Sequence, residues 1–153
     1  MWSVARLTSL LLGAVLLAGA RCQLSTDNDD AESDVRRAQA RWHRSGVQDY
    51  QIVVQYLCFC AFTRPVRITV RFGNIVSRVD AETGQPVPAE GNHVRDVAGL
   101  FDLVLEAIDR DAARVDASYD ATYGYPKMID IDYLANAIDD ELQIKTSEFQ
   151  PLR

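Results

Sequence analysis

The 153-residue sequence predicts an α+β domain: an antiparallel sheet of about six strands, with two helices packed mainly on one face, in the order α-βββ-α-βββ. Three observations carry that prediction. Val97, Leu100, Phe101, Val104, Leu105 and Ile108 recur at helical spacing, the clearest periodic stripe in the chain. Val66 to Phe72 alternates, with Val66, Ile68, Val70 and Phe72 on one side and Arg67, Thr69 and Arg71 on the other. No G-x-G-x-x-G sequence and no regular strand–helix–strand rhythm is present, which argues against a parallel, doubly wound sheet.

The amino-terminal residues read as an export signal. Met1 to Arg6 carry one positive charge, and Leu7 to Ala18 form an apolar run. That run falls short of the roughly 20 residues a membrane-spanning helix needs. Ala18-Gly19-Ala20 supplies the small residues of a cleavage site, so residues 1–22 are expected to be a signal peptide. Leu17-Ala18-Gly19-Ala20-Arg21-Cys22 resembles a bacterial lipobox and makes Cys22 a lipidation candidate, with a departure at Arg21, where that pattern has a small residue. Residues 23–34, with Asp27, Asp29, Asp30, Glu32 and Asp34, hold too little apolar content to fold alone and read as an acidic, flexible tether. Residues 35–153 then form one domain.

Within that domain, Val35, Ala38 and Trp42 share one face of a helix that Gly46 stops. Arg37, Arg41 and Arg44 occupy another face, read as a solvated one. Tyr50 to Cys60 alternates as a strand, with Tyr50, Ile52, Val54, Tyr56, Cys58 and Cys60 on one side. Gly73-Asn74 is expected to turn the Val66–Phe72 strand into Ile75 to Asp80. Gly84, Pro86, Pro88 and Gly91 mark a loop, after which Asp96 can cap the second helix. Val115 to Tyr119, Met128 to Asp132 and Glu141 to Phe149 are the last three strands, separated by a turn near Gly124 and by an acidic loop.

Several of these pieces recur together in a recognisable order: Trp42 ahead of a Tyr50-containing strand, Cys58-Phe59-Cys60, Phe101, Tyr119-Asp120, Gly124-Tyr125-Pro126, Ile129-Asp130-Ile131-Asp132 and Asp139-Asp140-Glu141. From about Arg37 to Phe149 the chain resembles a family of bacterial exported proteins and lipoproteins classed as a domain of unknown function. The resemblance implies an envelope location and carries over no catalytic residue.

Three groups of residues are candidate sites. Cys58 and Cys60 could form a disulfide, paired buried thiols or a redox couple. Positions i and i+2 of a flat strand lie nearly 7 Å apart, whereas disulfide β-carbons want about 3.8 Å, so closure requires a bend at Phe59. Asp130, Asp132, Asp139 and Asp140 offer oxygen ligands to a hard cation, although no glycine falls within the segment and its spacing is not that of an EF-hand. Read plainly, they are a solvated strand face and a turn. Tyr119, Tyr123 and Tyr125 form an aromatic loop that either contacts a partner or closes over the core.

The formal charge of −6 supplies no basic footprint, so nucleic acid is not an expected partner. Membrane association is expected only through the signal peptide or a lipid anchor. No G-x-S-x-G elbow is present, and His43 and His93 sit in no motif spacing. The expected function is therefore that of an exported cell-envelope protein, periplasmic, lipid-anchored or extracellular. It would be a non-enzymatic binding or structural domain for an envelope protein or surface component, with no cofactor. The alternative is an extracytoplasmic thiol-redox protein using Cys58 and Cys60.

Overall fold

A computed structural model of the chain describes residues 27–58, 63–89, 93–137 and 140–153. The expected signal peptide, Cys22, Cys60 and Asp139 lie outside the described residues.

Helix α1 spans Asp27–Ser45 and buries Val35, Ala38 and Trp42, the face its periodicity predicts. It starts before the expected boundary, so Asp27 to Asp34, read as flexible tether, are helical. The physical reason is local. Ala31 packs against the core one turn ahead of Val35, and carboxylates near a helix amino terminus complement its dipole. Arg36 pairs with Glu32 at 2.7 Å, and Arg37 with Asp34, across single turns.

Six strands follow the predicted order around α2: β1 Tyr50–Leu57, β2 Val66–Arg71, β3 Asn74–Asp80, α2 Val97–Asp109, β4 Arg114–Tyr119, β5 Pro126–Asp132 and β6 Glu141–Pro151. They make one open antiparallel sheet in the order β3-β2-β1-β6-β5-β4. Both helices cover the same face. That face carries Ile52 and Val54 of β1, Val66, Ile68 and Val70 of β2, Val115 of β4, Ile129 and Ile131 of β5 and Ile144 of β6, all in one buried cluster with the helices.

The Asp96 carboxylate caps α2 by accepting the Gly99 N–H at 2.9 Å. The Tyr50 hydroxyl accepts the Val97 N–H at 3.1 Å, so β1 helps hold the helix start. Val97, Leu100, Phe101 and Val104 are buried as the periodic stripe predicts. Leu105 and Ile108 are only partly buried, and Leu103 and Ala107 take core positions instead. The inward arc is rotated because α2 packs against α1 as well as against the sheet.

Two strand expectations shift for identifiable reasons. The β2–β3 hairpin turns at Phe72-Gly73, one residue before the predicted Gly73-Asn74, because Arg71 pairs with Asn74. Phe72 and Gly73 both take positive φ, 51° and 73°, as a two-residue primed turn requires. Phe72 therefore leaves the Val66–Val70 face and is 82% exposed. In β6, Glu148 at φ 51° stands at a bulge opposite Ile52, which returns Phe149 to the covered face.

Candidate functional site: the uncovered sheet face

Among the described residues, no helix lies on the opposite face of the sheet. The strand registers place Gln51, Val53 and Gln55 of β1 beside Arg67, Thr69 and Arg71 of β2. On the other side of β1, the same face continues through Gln143, Lys145 and Ser147 of β6 to Met128, Asp130 and Asp132 of β5. Arg114, Asp116 and Ser118 of β4 complete it. Strand periodicity is what puts one polar residue in two onto this surface, since the intervening positions fill the core.

Neighbouring side chains on this face satisfy one another. The Gln51 amide donates to Thr69 Oγ1 at 3.0 Å. Arg67 pairs with Glu148 at 2.5 Å. Arg114 bridges Asp116 at 2.8 Å and Asp130 at 3.0 Å, and the Gln143 amide donates to Asp130 at 3.3 Å. The guanidinium of Arg114 is held charged by those two carboxylates, which raise its pKa. Val53 is 4% exposed although it lies on this side, screened beneath its longer polar neighbours. The result is a broad, cross-linked polar surface, basic over β2 and acidic over β4 and β5.

The acidic residues expected to attract a cation are distributed by this arrangement. Asp130 is engaged by Arg114 and Gln143, where an arginine supplies the positive charge. Asp132 ends β5, and both carboxylate oxygens of Asp140 are buried without a hydrogen-bond partner. Among the described residues no three His, Cys, Asp or Glu side chains gather as a metal site.

The tyrosine loop faces inward to a large extent. Tyr125 stacks on Phe149 with centroids 4.4 Å apart, and Tyr123 meets the same ring at 5.1 Å. Trp42 and Tyr50 also meet the Phe149 ring, at 5.8 and 5.6 Å. Gly124 makes the approach possible: a β-carbon there would sit 2.4 Å from the Ala38 carbonyl oxygen of α1. Tyr119 stacks on Phe101 at 6.1 Å. Burial pushes the hydroxyl pKa values of Tyr119 and Tyr125 upward. Such a loop closes the core, with Tyr123 and Tyr125 keeping partly accessible edges.

Cys58 follows β1 directly, is partly buried, and its sulfur is engaged. Cys60, the other half of the expected pair, lies outside the described residues.

Sequence reasoning missed two features. Phe72 projects from the hairpin tip, held there by Asp49, whose carboxylate accepts the Phe72 N–H and pairs with Arg71, both at 2.8 Å. Those hydrogen bonds hold the Asp49 carboxyl below its usual pKa. The signal that could have found the turn is Gly73 at its second position. The other feature is a cavity of about 440 Å³ between α1 and β4. It joins residues far apart in sequence and leaves no local signature.

The sequence profile of a family described as a family of unknown function, DUF6174, matches residues 34–151. No curated protein matches the chain, and no solved structure does. No helix among the described residues is long and apolar enough to cross a membrane.

Proposed function

The chain belongs to DUF6174, and because that family carries no assigned activity we propose a function from the molecule's own surface: a non-enzymatic binding domain of the cell envelope that engages a protein or surface component through its uncovered sheet face. One observation carries this reading. Six strands present a broad, largely polar face, while both helices of the described residues lie on the other side. Paired side chains on rigid strands lose little entropy on docking, so such a face is preorganised for a partner.

Export, with anchoring through Cys22, belongs to the same proposal and rests on the apolar run from Leu7 to Ala18 and the small residues after it. In an oxidising compartment, Cys58 and Cys60 pair as a structural disulfide at the end of β1. The mass of the mature protein tests cleavage, lipidation and cysteine state together. Intact Met1 on a cytoplasmic form would end the export reading.

Site-specific photo-cross-linking in intact cells tests the binding face. A photoreactive residue at Lys145, on the uncovered face, should give a discrete adduct, and one at Asp102, on the exposed side of α2, should not. Absence of an adduct at Lys145, or the same adducts at both positions, would refute the assignment of this face.

A further inference from the structure

Phe72 is the most exposed large apolar side chain among the described residues, at 82%, and it is held out against its own backbone preference. Its φ of 51° is a conformation that bulky residues rarely adopt and that costs free energy. Neighbouring side chains fix it from both ends. The Asp49 carboxylate accepts the Phe72 N–H at 2.8 Å, and the Asn74 amide donates to the Phe72 carbonyl at 2.9 Å. Asparagine ahead of Gly73 would fill such a turn without strain. The chain instead displays an aromatic ring there, at a cost in stability.

Beside the ring lies a hollow of about 340 Å³, lined by residues 46–49 of the α1–β1 connection and by Pro151 and Leu152, with Phe72 at its rim. Its volume falls in the range of binding sites, roughly 300–1,000 Å³. Val47, Pro151 and Leu152 give it apolar walls. Those walls are fixed. Leu152 donates its N–H to the Asp49 carbonyl at 2.8 Å, Val47 packs against the core, and Pro151 pairs with Tyr50.

A protrusion and a hollow side by side on one patch are what a twofold interface requires. A half-turn about an axis between them seats each copy's ring in the other copy's hollow. The charges obey the same symmetry. Arg71 adjoins the protrusion and Asp49 lines the hollow; the two pair at 2.8 Å, and both side chains keep exposed surface. The half-turn brings Arg71 of each copy toward Asp49 of the other, so four charges alternate in sign. A lipid surface makes no use of the hollow, and the chain's formal charge of −6 opposes an anionic membrane.

We propose that Phe72 and this hollow form a homodimer contact, in which the partner is a second copy of this chain. The two rings, at roughly 150–250 Å² each, and the walls they cover bury about 600–1,000 Å² in all. That is the size of a weak, reversible contact, populated at high local concentration. Phe72 is its anchor, as buried aromatic rings are at interfaces in general. Arg71 also borders the uncovered face, but the contact lies at the hairpin end of the sheet and stands or falls separately from the partner proposed for that face.

Sedimentation equilibrium of the full chain, from about 10 µM to about 1 mM, tests the proposal. The average mass should rise from monomer toward dimer across that range. Phe72→Asn should weaken association about tenfold or more, since the anchor is lost twice in each dimer. Measured on dilute monomer, the same variant should unfold at a higher urea concentration than the parent, because asparagine tolerates the positive φ. Leu152→Arg, which fills the hollow, should also weaken association about tenfold or more. Cosedimentation with vesicles of phosphatidylcholine and phosphatidylglycerol checks for a lipid surface as the occupant. Four results would each overturn the proposal: no rise in mass by about 1 mM, undiminished association in Phe72→Asn, a lower urea midpoint in that variant, or vesicle binding that needs Phe72 without self-association.

Discussion

Replacing Gly124 by alanine isolates the contact that closes the tyrosine loop onto α1. Gly124 has φ 91°, outside the range that suits an L-residue, so alanine there costs about 1–2 kcal/mol in backbone strain. The added β-carbon would lie 2.4 Å from the Ala38 carbonyl oxygen and 3.0 Å from the Trp42 nitrogen. Those atoms belong to helical backbone and cannot swing aside, so the loop itself must move, at the roughly 1–3 kcal/mol typical of overpacking. Reduced entropy of the unfolded chain returns about 0.4–1 kcal/mol. The net expectation is a loss of about 2–4 kcal/mol. Gly84→Ala is the internal reference: φ is 71° there, but nothing lies within 4 Å of the new carbon. It should cost about 1 kcal/mol or less. Urea titration of both variants measures the difference, provided the m-values match that of the parent. The near-ultraviolet circular dichroism of the Trp42–Tyr125–Phe149 cluster should change only in Gly124→Ala. Equal destabilisation by the two substitutions would show that the loop is not seated on α1.

Phe101 is 1% exposed at the centre of the covered face, so Phe101→Ala should cost about 3–5 kcal/mol, and a loss below about 1 kcal/mol would show that α2 is not packed there. The Asp80 carboxylate accepts the N–H groups of Glu82 and Thr83, each at 2.9 Å, and pairs with Arg64 at 3.2 Å, which lowers its pKa below 3.8. Its contribution to stability is therefore complete above its unfolded pKa and disappears as pH falls through the lower folded value. Asp80→Asn should be less stable than the parent at pH 7, with the gap closing as both are acidified below pH 4 in a denaturant series; a gap independent of pH would contradict this account.

What could be read in the sequence is what repeats. The period of α2 and the alternation of β2 identify the covered face correctly at Val97, Phe101, Ile68 and Val70, because each side chain's direction follows from its position in a regular element. Bulges and turns break that rule. The hairpin turn at Phe72-Gly73 ends β2 one residue early and sends Phe72 to solvent. The bulge at Glu148 reverses the parity of β6, so counting from Ile144 would have placed Phe149 on the wrong side. The helical start of α1 escaped because Asp27 to Asp34 lack apolar content, while their stabilisation comes from ion pairs and from Ala31 against the core. The uncovered face was legible as alternating polar residues, but Arg114 meeting Asp130 depends on strand register. The cavity depends on α1 lying beside β4, which is a tertiary fact.

The central seam of the sheet joins β1 to β6, the first strand to the last. Each flank can assemble from hairpins as the chain emerges, β1 with β2 and β3, β4 with β5. Neither flank can close on the other until the carboxy-terminal residues exist, since Tyr50 pairs with Pro151 and Gln51 with Gln150. Folding is thus gated by its longest loop closure, and a nascent chain stalled before β6 exposes two sheet edges at once. A truncation at residue 140 would remove the strand that makes two half-sheets into one. Such a product should be recognised as unfolded by a protease, however intact its helices remain in sequence.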